Sequence, residues 1–229
     1  RPLPFADMNA LIQASREALL AAVKGAAATL PLSAVTLLAP IPRPRQDVIC
    51  LGINYKAHTE EAARYSSEAF TKERPIPINF SKRVTEAVAP EGDIESHPGL
   101  EERLDYEAEL AVIIGKTAKN VMAEDAADYI FGYTVLNDVS ARVLQTAHKQ
   151  WYFGKSLDGF TPIGPCIVTA DEIVFPPALH ITARVNGELR QDSTTDLLIT
   201  SIADIIEELS SGMTLLPCLL YTSPSPRDR

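Results

Sequence analysis

The chain has 229 residues, 46% of them hydrophobic, and carries 21 Lys+Arg against 30 Asp+Glu for a formal net charge of -9. That length can bury the core of one large domain or two small ones, and no run of about 18 apolar residues marks a membrane span. The acidic balance, with lysines and arginines scattered along the chain, leaves no electrostatic footprint for a nucleic-acid backbone, so neither membrane nor nucleic acid is expected as a partner.

Met8, Leu11, Ile12, Leu19, Leu20 and Val23 fall near helical spacing and predict one amphipathic helix, after which the proline-rich segment 31–44 reads as a connector. Residues 1–46 are therefore expected to form a helical N-terminal arm and linker. No charged-then-apolar leader follows Arg1, and the native start is expected to lie upstream. Cys50, Cys166 and Cys218 are far apart and form no C-x-x-C pair, which fits a reducing, cytoplasmic compartment. Cys50 and Cys166 lie in apolar, strand-like runs and are expected to be small buried hydrophobes.

From Asp47 onward the pattern changes to short apolar runs at 48–51, 76–80, 110–114, 133–136 and 166–169, each bounded by Gly, Pro, Asn or Asp. Ile181, Ala183 and Val185 alternate with Thr182 and Arg184 before Asn186-Gly187, a dipeptide suited to a tight hairpin turn. Helices are expected at 123–130, 139–148 and 202–209, the last with Ile202, Ile205, Ile206 and Leu209 on one face, Ser201 as cap and Gly212 as stop. The fold class that follows is α+β, mainly β.

The chemistry begins at Glu107 and Glu109, two apart at the entrance to a strongly apolar strand, where a period of two puts both carboxylates on one face. Adjacent carboxylates raise one another's pKa unless a cation sits between them, and a hard divalent ion meets that need. The alternative is a solvent-facing edge with two harmless acids. Asp138 follows a strand and precedes a helix, so it is either a third ligand or an N-cap. Three carboxylates suit magnesium or manganese, whereas zinc would call for His or Cys. Upstream, His58 and Glu61 are three apart, and on a helical turn the glutamate would fix the imidazole tautomer and make it a general base; a surface His beside a surface Glu is the competing reading. Arg142 and Gln145 are also three apart, and with Gln150, Trp151 and Lys155 they form a cluster able to clamp an acidic substrate, or else an ordinary helix surface. Gly115-Lys116-Thr117 and Gly154-Lys155-Ser156 lack the earlier glycine that a phosphate loop needs, so no nucleotide cofactor is expected.

Together these segments resemble the fumarylacetoacetate hydrolase family: G-x-N-Y-x-x-H from Gly52 to His58, D-Y-E-x-E-L-A from Asp105 to Ala111, G-Y-T-x-x-N-D-V-S-A-R from Gly132 to Arg142, then Gln150-Trp151, Gly154-Lys155-Ser156 and Gly212-Met213-Thr214-Leu215. The resemblance covers about residues 48–217. It implies a mixed β-sandwich roll, usually a homodimer, with Mg2+ or Mn2+ held by Glu107, Glu109 and Asp138. It also implies that His58 and Glu61 activate water, and that Arg142, Gln145 and Lys155 grip and polarise a small oxo-acid substrate. The expected activity is hydrolytic cleavage of a C–C bond in a 2-oxo or 1,3-diketo acid of the fumarylacetoacetate or acylpyruvate type, with Lys155 stabilising developing charge. Isomerisation or decarboxylation of related 2-oxo or 2-hydroxy-dienedioic acids is the alternative within enzymes, and a metal-binding β domain without catalysis is the alternative outside them.

Two departures from the family pattern stand out. Val143 takes the place of an acid that usually follows the arginine. After Leu215-Leu216-Pro217, where the family continues into a strand and a G-T-P-x-G loop, the string from Cys218 to Asp228 reads like a translated transposon-end adapter used in making sequencing libraries. The expected organisation is thus an arm at 1–46, a C-terminally incomplete catalytic domain at 47–217 and a non-native tail at 218–229, with the sheet left an unpaired edge where the last strands would pair.

Overall fold

The computed structural model describes residues 4–25, 30–52, 54–55 and 77–224. The N-terminal arm holds two short helices, α1 (Met8–Ile12) and α2 (Arg16–Val23), where one was expected. The break has a local cause. The Asp7 side chain caps the first helix by accepting from the Ala10 N–H at 2.7 Å, and Ser15 starts a second by accepting from the Ala18 N–H at 3.2 Å.

Among the described residues ten strands follow: β1 (Val48–Leu51), β2 (Asn79–Lys82), β3 (Leu104–Asp105), β4 (Ala108–Ile114), β5 (Ile130–Asn137), β6 (Ser140–Ala141), β7 (Ile163–Thr169), β8 (His180–Val185), β9 (Glu188–Thr194) and β10 (Leu220–Pro224). Six build one mixed sheet in the order β2-β1-β10-β4-β5-β7, while β3 pairs with β6 and β8 with β9 as small separate sheets. The β8–β9 turn is the hairpin expected at Asn186-Gly187, with φ of 52° and 82° at the two residues. The architecture is α+β and mainly β, as the apolar runs indicate.

β10 corrects one expectation. It lies between β1, to which it is parallel, and β4, to which it is antiparallel. Residues 220–224 therefore fill the place where an unpaired edge was expected.

Alternation along β4 divides the core. Leu110, Val112 and Ile114 pack with Ile202, Ile205, Ile206 and Leu209 of helix α5 (Ile202–Gly212), while Ala111 and Ile113 pack with Val48, Cys50, Leu136, Leu220 and the arm residues Ile12, Ala39 and Ile41. The sheet is thus covered by a helix on one face and by the N-terminal arm on the other. A third cluster of Val139, Ala141, Leu157 and Phe160 underlies the loops beyond the end of β5.

The helices differ from expectation at their ends. The stretch expected to be helical from 139 gives up Ser140 and Ala141 to pairing with β3, so the helix is only α3 (Arg142–Ala147). A further short helix, α4 (Tyr152–Lys155), follows it. The segment 123–130 is a 3-10 turn over Ala123–Tyr129. Helix α5 spans Ile202–Gly212, capped by Ser201 as expected but running through Gly212 rather than stopping before it. The strand expected at 76–80 is found at Asn79–Lys82, and position 76 lies outside the described residues. Cys50 is buried as expected, but Cys166 is exposed, because β7 is an edge strand whose centre faces away from the core. Among the described residues no helix is long and apolar enough to cross a membrane.

Candidate active site

Glu107, Glu109 and Asp138 are brought together by one antiparallel strand pair. Glu109 lies on β4 opposite Leu136 of β5, Glu107 just precedes β4, and Asp138 just follows β5. The Asp138 N–H donates to the Glu107 carbonyl at 2.8 Å, and the Glu107 N–H donates to the Asn137 side-chain oxygen at 2.9 Å, which fixes the two strand ends against each other. One oxygen from each of the three carboxylates lies within 4.8 Å of the others. The residues are only 7%, 1% and 0% exposed, and β4 is a central strand, so the solvent-facing-edge alternative fails. Asp138 is no helix cap either, since that position before α3 belongs to Ala141.

Among the described residues, three cations surround the acids. The Lys155 Nζ donates to Glu107 Oε2 and to Asp138 Oδ2, each at 2.5 Å. Lys82 donates to Asp138 Oδ1 at 2.6 Å and to the Val139 carbonyl at 3.0 Å. Arg142 spreads its guanidinium over three acceptors: Nε to Asp105 at 2.8 Å, Nη2 to Glu107 at 2.6 Å and Nη1 to Gln145 at 2.8 Å. The four carboxylates of Asp105, Glu107, Glu109 and Asp138 thus face three cations.

This balance sets the protonation states. Burial pushes the Glu107 carboxyl up, but Lys155 and then Arg142 outweigh it and hold the carboxyl well below the usual range. Glu109 goes the other way: burial, then the charges of Asp138 and Glu107, push it well above a normal carboxylate, against weaker pulls from Lys155 and the Thr222 hydroxyl. Among the described residues, neither Glu109 oxygen has a hydrogen-bond partner of good geometry although both are buried. An orphaned carboxylate beside two others, with oxygen-only donors, is the environment that a hard divalent cation satisfies. Glu107, Glu109 and Asp138 therefore fit such an ion.

Lys155 reaches this centre because α4 packs closely against α3. A side-chain carbon at Gly154 would stand 2.7 Å from the Gln145 nitrogen and 2.9 Å from the Ala141 carbonyl oxygen, so only glycine allows the approach. Trp151, one turn earlier, packs edge-to-face on Phe80 with ring centroids 5.2 Å apart, and the Lys155 Nζ is 5.2 Å from the Phe80 ring centre. Gln145 sits beside Arg142 as the spacing implied. His58 and Glu61 lie outside the described residues.

Lys82, which has no exposure at all, gives no spacing signal. Its only sequence signal is a lysine inside an otherwise strand-like run, and nothing along the chain announces Asp138 as its partner. Asp105, although it opens the D-Y-E segment, and Glu101 are likewise not marked by spacing. The Glu101 Oε1 accepts from the backbone N–H groups of Glu102 at 3.0 Å and Arg103 at 2.6 Å, and its Oε2 accepts from those of Val143 and Leu144, both at 3.1 Å. Burial raises the Glu101 carboxyl, yet these four donors together hold it below the usual range.

Comparison with known proteins bears on the same residues. The model of the fumarylacetoacetate (FAA) hydrolase C-terminal family matches residues 47–220. The chain belongs to the fumarylacetoacetate hydrolase family. It is 48% identical over 185 residues to the oxaloacetate tautomerase YisK of Bacillus subtilis, covering 80% of this chain and 60% of that protein. It is 42% identical over 216 residues to the mitochondrial oxaloacetate tautomerase FAHD2B of Bos taurus, covering 92% of this chain and 66% of that one. This family member therefore spans less than two thirds of the length of either relative. A solved structure of the maleylpyruvate hydrolase of Sphingobium sp. SYK-6, in complex with manganese(II) and pyruvate, superposes with a TM-score of 0.77 at 32% identity, covering 96% of this chain and 75% of that one.

Proposed function

We propose that this chain tautomerises a small 2-oxo diacid of the oxaloacetate class at the Glu107–Glu109–Asp138 centre. Such a substrate offers a 2-oxo group and an adjacent carboxylate, two oxygens that a cation can hold together, and interconversion of keto and enol forms moves one proton from carbon to oxygen. Magnesium or manganese, bound by the three carboxylates, would supply Lewis-acid stabilisation of the enolate charge. The chain's own residues do the rest. Lys155, kept charged by Asp138 and Glu107 against the pull of burial, supplies a second positive charge at the same place. Arg142 and Gln145 orient the carboxylate end of the substrate. His58, with Glu61 three residues on, would move the proton. The relatives named as oxaloacetate tautomerases support this choice of reaction.

The observation that carries the proposal is Glu109, whose two buried oxygens lack a hydrogen-bond partner of good geometry among the described residues, beside two further acids. A second reading, hydrolytic C–C cleavage of a 2-oxo or 1,3-diketo acid, is favoured by the His58 and Glu61 spacing, which suits activation of water, and by the maleylpyruvate hydrolase likeness. One assay separates them. The purified chain, stripped with a chelator and reloaded with manganese, is mixed with oxaloacetate and, separately, with an acylpyruvate. Metal-dependent loss of the enol absorbance with no carbon–carbon scission supports tautomerisation, and release of pyruvate from the acylpyruvate supports hydrolysis. No metal-dependent change in either substrate overturns both.

A further inference from the structure

We propose that Glu101 is a positioning residue for Arg142, one carboxylate buckling together the two backbone segments from which the guanidinium and its acidic partner Asp105 project. The inference rests on the proposed function only in naming what Arg142 then orients.

The geometry is that of a clamp. Glu101 is 5% exposed, and each of its oxygens serves a different segment. Oε1 takes the N–H groups of Glu102 and Arg103, just ahead of β3 and Asp105, while Oε2 takes those of Val143 and Leu144, in the first turn of α3. The Arg142 N–H donates to the Arg103 carbonyl at 3.1 Å between these contacts, and β3 pairs with β6 through Leu104–Ala141 and Asp105–Ser140. The two segments are thus tied by backbone bonds on one side and by a buried charge on the other. The same register delivers Arg142 Nε to Asp105 and Nη2 to Glu107.

Glu101 is also what the helix itself lacks. α3 has no side-chain N-cap and no acidic residue in its first turn, so its first N–H groups depend on an acceptor brought from elsewhere. Val143, in that first turn, is 47% exposed and has room for an acid of its own. A carboxylate supplied locally from position 143 should therefore stand in for the distant one.

The test uses three variants of the full chain: Glu101→Ala, Val143→Asp and the two combined. Two quantities are read: the hydrogen-bonded Arg142 Nε–H resonance by NMR, and kcat and KM for oxaloacetate tautomerisation. Glu101→Ala is expected to expose the Nε–H to rapid exchange and to raise KM about tenfold or more while kcat moves less, because a displaced clamp loses ground-state orientation first. Val143→Asp alone should leave both readouts near wild type, and the combined variant should regain most of what Glu101→Ala lost. Persistence of the Nε–H signal in Glu101→Ala overturns the proposal, as does equal loss in the single and combined variants. If the wild-type chain turns over no 2-oxo acid, the proposed function fails, and the NMR readout still decides the role of Glu101.

Discussion

The Lys82 ammonium stands 2.6 Å from Asp138 Oδ1, and neither side chain has any exposure to solvent. Lys82 comes from β2 at the sheet edge, so one buried ion pair links that strand to the loop that carries the third acid of the centre. Removing one partner of a buried pair leaves the other charge uncompensated, which costs far more than removing both. Lys82→Met is expected to lower stability by about 3 kcal/mol in urea denaturation. Adding Asp138→Asn should then cost much less than it does in the wild-type background, a coupling that a double-mutant cycle measures directly.

Glu109→Gln separates stability from ligand capture. The wild-type carboxyl is buried without a hydrogen-bond partner of good geometry, so a neutral isostere removes a group that the fold does not need. The variant without metal should melt at or above the wild-type temperature, while its affinity for manganese falls by about tenfold or more because one charged donor is lost. A calorimetric manganese titration beside a thermal melt checks both, and a stabilised variant that keeps full affinity would falsify the assignment of Glu109 as a ligand.

The Glu101 carboxylate makes stability pH-dependent with a definite sign. Its folded-state pKa lies below the ordinary value, so its contribution is complete above the unfolded glutamate pKa of about 4.3 and is lost as pH falls through the folded value. Wild type should exceed Glu101→Gln by about 1–2 kcal/mol at pH 7, the scale of a capping interaction. The gap should narrow at pH below about 4. Urea midpoints for both proteins across that range give the comparison, and a gap that widens toward acid would have the wrong sign.

Trp151 is the only tryptophan in the chain, which makes its packing directly visible. A side-chain carbon at Gly52 would lie 2.1 Å from Trp151 Cζ3 and 2.6 Å from Cη2, so Gly52→Ala must push the indole aside. Overpacking of this kind costs about 1–3 kcal/mol. The expected result is a shifted tryptophan emission together with reduced turnover, because Trp151 adjoins the helix that ends in Lys155. Unchanged emission would mean that the indole does not rest on Gly52.

The parts of this site that could be read along the chain are those set by short-range periodicity. Glu107 and Glu109 share a face because strands repeat every two residues, and Asn186-Gly187 forms its turn because both residues accept positive φ. Lys82 was out of reach for the opposite reason: its role depends on β2 pairing with β1 and on where that brings Asp138, a relation between distant segments with no local trace. Glu101 has no local signal either, because its partners at the start of α3 come beside it only through the pairing of β3 with β6. The helix expected from 139 began late because tertiary pairing captured Ser140 and Ala141 first.

The place of β10 also dictates an order of events during synthesis. β1 and β4 are neighbours in the sheet only through a strand that leaves the ribosome after both of them and after the whole of α5. Joining β2-β1 to β4-β5-β7 therefore waits for contacts between segments far apart along the chain, and long-range pairing of this kind is slow. A chaperone that shields exposed strand rims would be most needed before β10 joins β1 to β4.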